Sequence, residues 1–183
     1  MLYQIEEQIR RQAKTPHELF MLNLAVFHLL LAPAAIVLKI GILGFFVPLS
    51  ASLGLIGFTY WRSRETRPDR PWFVKVHWKL ASRRSRILLI AYVLSGSLLG
   101  LGLLVASGAD KHTTQDIITT VFARIAVFPV LVAVMLGFVL ESGAIYQATK
   151  GEVPDFMIKM NPAPADLPSL TPTAEEPSVD STA

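Results

Sequence analysis

Four long apolar runs dominate the chain: Leu19–Leu38, Ile40–Trp61, Ile87–Ser107 and Ile117–Leu140. They are 20, 22, 21 and 24 residues long. A helix crosses a bilayer's hydrocarbon core in about 20 residues. The first three runs hold no charged residue, and the fourth holds only Arg124. A buried helix of a soluble protein is shorter and keeps a polar face. The runs therefore predict an all-α integral membrane protein, a four-helix bundle crossing at 19–38, 40–61, 87–107 and 117–140.

Only Lys39 separates the first two runs. One helix over Leu19–Trp61 would reach about 65 Å, twice the hydrocarbon thickness. The chain must turn, and Gly41 and Gly44 are the place for it. The alternative is a re-entrant loop broken at Pro33 and Pro48. Ala32-Pro33-Ala34 resembles a leader-cleavage site, but the segment before it carries acids and the residues after it are apolar again, both wrong for a signal sequence.

Composition narrows the chemistry. Charged residues make up 17% of the 183, against about a quarter in soluble domains. The absence of cysteine excludes thiol catalysis, Cys-ligated zinc and iron–sulfur clusters. Charge is uneven: residues 1–150 hold 16 Lys/Arg against 8 Asp/Glu, and residues 151–183 hold 1 against 6. That last stretch also has 6 of the 12 prolines, so a disordered acidic Pro-rich tail is expected over 161–183.

Loop 62–86 alone carries nine Lys/Arg, the N-terminal segment three and the tail two, against one in each other connection. Cationic loops stay on the cytoplasmic side. This predicts a multi-pass protein of the cell's inner membrane with both termini cytoplasmic. The expected organisation is an amphipathic segment over 1–18, a bundle over 19–160 and the tail. Leu2, Ile5, Ile9 and Ala13 fall at helical spacing, which suits a helix on the membrane surface. Thr15-Pro16-His17-Glu18 reads as the start of the first spanning helix.

In loop 62–86, Trp72, Phe73, Val76 and Leu80 share one helical face, and Lys75, Lys79, Arg83 and Arg86 form the stripe beside it. The expectation is a helix in the headgroup layer. Trp72, Phe73 and Trp78 would be its interfacial aromatics, and the basic face would meet anionic lipid or an acidic partner. No fold-level motif accompanies the charges, so nucleic acid is not an expected partner. Small residues recur at four-residue spacing: Gly96-x-x-x-Gly100, with Ser95 beside it, and Ala133-x-x-x-Gly137. Such faces let helices approach closely, within the chain, between copies or against other membrane subunits.

Ionisable groups inside a bilayer are costly and are functional candidates. His28 and Arg124 fall at depths within about 6 Å of each other when their helices run antiparallel. With Tyr92 they form an expected intramembrane polar pocket, with Asn23, Ser95 and Ser97 as possible neighbours. His17, His77 and His112 lie outside the runs, and Glu141 borders the last. No P-loop, nucleophile elbow or zinc-protease motif occurs. The expected role is a non-catalytic accessory, assembly or scaffolding subunit of a membrane complex, with no cofactor. One alternative is a redox-complex anchor that binds a quinone or shares a haem through His28 and Arg124. The other is a small transporter.

Overall fold

A computed structural model describes residues 1–38, 43–65 and 69–170, with the backbone alone at 36 and 43–45. The described residues are helical, with no strand among them. Helix α1 (Glu7–Leu22) passes through a π-helical segment (Asn23–Leu31) into α2 (Ala32–Val37). Then come α3 (Leu43–Arg64), α4 (Trp72–Ser107), α5 (His112–Lys150) and the short α6 (Asp155–Met160).

Three stretches among the described residues are long and apolar enough to cross a membrane: Glu7–Ala35, Trp72–Ser107 and His112–Lys150. Sequence reasoning expected four. The difference lies in the second run. Its first residues, 40–42, are outside the described set and 43–45 are described by backbone alone, while α3 runs unbroken with Pro48 inside it and ends in Arg62 and Arg64. Of the expected turn, Gly41 lies outside the described residues and Gly44 is already helical in α3, and Pro33 and Pro48, where the re-entrant alternative placed its breaks, lie within α2 and α3.

At most 22% of any of the three apolar windows is buried within the chain. Leu104, Phe128 and Val139 are 71%, 66% and 72% exposed. In water each would forfeit about 25 cal/mol per Å² of apolar surface. Surrounded by hydrocarbon they forfeit nothing, so the fold is that of a membrane protein.

The small residues sort by partner. A Cβ on Gly102 would sit 2.4 Å from the Phe122 Cβ, and one on Gly137 would sit 2.8 Å from a Leu24 methyl. These glycines let α4, α5 and the π segment meet. Phe20, Leu24, Ile56, Leu88, Ala91, Ala133 and Val134 form the core there.

At about 1.5 Å per residue, α4 and α5 reach about 54 and 58 Å, far beyond a 30 Å hydrocarbon core. Their surplus lies at one end, with the cations of 62–86, and builds a second core. Phe73, Val74, Val76, Trp78 and Leu80 pack there with Ala13, Ala144, Ala148, Val153 and Met157. The helix expected to begin at Thr15 instead runs straight through, with Pro16 inside α1 and Ala13, His17 and Phe20 buried on its packed face. Residues 1–6 are not helical. Tyr3 N–H donates to Gly151 O at 2.9 Å, and Leu170 N–H donates to Leu2 O at 2.8 Å. The tail expected to leave at 161 therefore packs back through Ala163 and Leu167. Residues 171–183 lie outside the described set.

Candidate functional site

Two polar clusters sit between the helices, one in each core. The deeper one is organised by the π segment. Pro33 has no N–H for Leu29 O, and its ring crowds that carbonyl. The helix widens ahead of it, so that Ala32 N–H reaches back five residues to Phe27 O. Such widened turns recur at functional positions. Here one carries His28, whose Nδ1 lies 3.2 Å from Asn23 O.

His28 Nε2 lies 2.5 Å from the Tyr92 hydroxyl, which donates to Ser52 Oγ at 2.7 Å. Asn23 Nδ2 donates to Ser52 O at 3.5 Å, and its Oδ1 is buried without a partner. One chain of contacts thus ties the π segment, α3 and α4. Of the expected pocket, His28 and Tyr92 meet and Arg124 does not join them. Arg124 is exposed on α5, and about 180° of helix separates it from the buried Ala133 nine residues on. Ser95 Oγ is buried and unpartnered.

The second cluster lies in the core at the basic end, outside all four apolar runs. His17 of α1, His77 of α4 and Glu141 of α5 have fully buried side chains. His17 Nδ1 is 2.5 Å from Glu141 Oε2, and His17 Nε2 is 3.0 Å from His77 Nδ1. Arg84 approaches Glu141 Oε1 at 3.8 Å and donates to Leu140 O. Burial, reinforced by Arg84, holds the His17 imidazole down at about 3. Burial first, then the neighbouring His17, does the same for His77. Burial pushes the Glu141 carboxyl up to about 8 against the opposing pull of Arg84. At neutral pH the imidazoles are uncharged and the carboxyl keeps its proton. It donates to His17 Nδ1, and His17 Nε2–H donates to His77.

Sequence reasoning did not join these residues. The available signal was Glu141 at the end of an apolar run, with His17 two residues before another. Neither these three nor any other group of His, Asp or Glu side chains among the described residues is arranged to hold a metal ion.

The other expected site residues separate into distinct environments. Phe73 and Trp78 are 1% and 6% exposed, inside the basic-end core rather than among headgroups. Trp72 packs edge-on against Tyr3 and donates from Nε1 to Asn161 O at 3.2 Å. The expected lipid-facing stripe is covered by α1, α5 and α6, because α4 runs unbroken from 72 and carries that stripe into the bundle. Arg83 lies over the Phe156 ring of α6, with its centre 5.4 Å from the ring centre. Lys75, Lys79 and Arg86 line a groove beside α3. Ala133 and Gly137 pack inward, whereas a Cβ at Gly96 or Gly100 would meet nothing within 4 Å.

No family model, no curated protein and no solved structure matches this chain.

Proposed function

We propose that this protein is a non-catalytic scaffolding or assembly subunit that packs against another membrane protein through the Gly96–Gly100 face of α4. The observation that carries this reading is the open surface at those two glycines. Inside the chain, Gly102 and Gly137 are spent on helix contacts. Gly96 and Gly100, four residues apart on α4, have nothing among the described residues within 4 Å of where a Cβ would stand. A helix in lipid gains by placing such a face against a second helix, where the backbones approach closely.

The reading includes four crossings, with both ends and loop 62–86 on the cytoplasmic side of the inner membrane. Helix placement supports it. His17, just before the first apolar run, touches His77, near the start of α4. A chain that leaves along α1 must return before α4 begins, and α3 is the helix between them. Met1 N also reaches Val153 O at 2.8 Å, which brings the two ends of the described chain together. The redox-anchor reading draws less support. Both His28 ring nitrogens are engaged, and Arg124 faces outward.

The test is co-purification in mild detergent followed by mass spectrometry, with wild type beside a Gly96→Leu/Gly100→Leu variant. The proposal expects a stoichiometric membrane partner, either another protein or a second copy, that the double variant loses while remaining folded. A monodisperse wild-type monomer, or a partner retained by the variant, would overturn it.

A further inference from the structure

A groove between α3 and α4 crosses the level at which both helices change from charged to apolar. Arg86 immediately precedes the apolar run of α4, and Arg62 and Arg64 follow that of α3. The groove has two continuous halves. The half toward the basic end is about 510 Å³ and is lined by Arg64, Lys75, Lys79 and Arg86 among others. The half toward the membrane is about 360 Å³ and is lined by Leu53, Ile56, Gly57 and Leu89. Tyr60, Ser82 and Arg86 belong to both.

The four α4 positions facing it, Lys75, Lys79, Ser82 and Arg86, follow one helical face at intervals of four, three and four. The Glu65 carboxylate at the mouth accepts from Arg70 at 2.9 Å and from Arg62. Lys75 and Arg86 have no carboxylate partner among the described residues. Arg64 is laid over the Tyr60 ring, 4.2 Å from its centre, and donates to its hydroxyl.

We propose that this groove holds one anionic glycerophospholipid. Its phosphate lies among Lys75, Lys79 and Arg86, and an acyl chain follows Leu53, Ile56, Gly57 and Leu89. The charge selects the headgroup and the apolar half selects a lipid over a small anion. A cationic groove that ended at the interface would suit any phosphate. One that runs on into an apolar channel suits a molecule with both parts.

The test uses the purified full chain and native mass spectrometry after exposure to an equal mixture of phosphatidylglycerol and phosphatidylcholine. The expected result is retention of one phosphatidylglycerol in preference to phosphatidylcholine. A Lys75→Gln/Lys79→Gln/Arg86→Gln variant should lose that retention by about tenfold or more, since each cation near a headgroup contributes separately. An Arg10→Gln/Arg11→Gln/Lys14→Gln control, which removes as many charges from α1, should keep it. Gly57→Trp tests the channel without changing charge. A Cβ at Gly57 meets nothing within 4 Å, so the indole enters the groove and should expel the lipid. Inorganic phosphate alone should not displace the lipid. Equal retention of the two lipids, an unaffected triple variant, an equal loss in the control, full retention by Gly57→Trp, or displacement by inorganic phosphate would each overturn the proposal.

Discussion

His17 and Glu141, 124 residues apart, meet at 2.5 Å inside the basic end of the bundle. Through them α1 and α5 are joined, and His77 adds α4. The three side chains are fully buried beside the basic-end core, so the chemistry of the contact follows from desolvation. The acid and its two imidazoles are held neutral, and the hydrogen bonds between them offset the cost of burying polar groups.

That neutrality fixes a pH dependence. On folding, each imidazole falls from 6.5 to about 3, so its contribution is complete above pH 6.5 and is lost as pH falls toward 3. The Glu141 carboxyl rises from 4.5 to about 8, so its contribution is complete below pH 4.5 and is lost as pH climbs through 8. Between 4.5 and 6.5 two imidazoles outweigh one carboxyl, and above 6.5 the carboxyl acts alone. Thermal stability in detergent should therefore peak near pH 6.5 and decline on both sides. Glu141→Gln, whose amide still donates to His17, should remove the alkaline decline and keep the acid one. A variant that still loses stability from pH 6.5 to 8 would show that Glu141 is not its source.

The glycines of α4 should separate by substitution. Gly102→Ala places a methyl 2.4 Å from Phe122 Cβ and should cost about 1–3 kcal/mol through overpacking. Gly96→Ala meets nothing and should leave stability unchanged or raise it slightly, since alanine favours helix. Thermal unfolding of the two variants side by side checks the contrast. Equal effects would contradict the packing described.

The membrane cluster predicts a coupling. Tyr92→Phe removes the bond to Ser52 and the contact with His28, and should cost about 1 kcal/mol. Ser52→Ala removes one of those bonds. In the double variant the costs should fall short of additive, as expected for residues sharing one hydrogen bond. Full additivity, measured by unfolding in detergent, would mean that the bond contributes nothing.

Much of this architecture was legible in the sequence because hydrocarbon imposes a length and a composition on anything that crosses it. The helices at Ile87–Ser107 and Ile117–Leu140 were plain for that reason. What surrounds an apolar face was not legible. Trp72, Phe73, Val76 and Leu80 announce a stripe, but periodicity is silent on whether lipid or another helix covers it, and α1, α5 and α6 cover it. Depth likewise brought Arg124 beside His28, but depth fixes position along a helix and not around it. Arg124 turns outward, opposite Ala133. The His17–His77–Glu141 contact had no local spacing to reveal it, because each residue comes from a different helix. Ser52 went unmarked because a serine among apolar residues carries no sign of the tyrosine it will meet.

The central claim is that four crossings bring both ends and the basic loop to one face of a membrane. The chain has no cysteine, so single cysteines report without background. Gln4→Cys, Asp69→Cys, Lys111→Cys and Pro164→Cys each sit at an exposed position. With a membrane-impermeant maleimide on intact cells, Lys111→Cys should label at once, and the other three only after the membrane is opened. Labelling of Asp69→Cys and Lys111→Cys from the same side, or of Gln4→Cys and Pro164→Cys from opposite sides, would contradict the account.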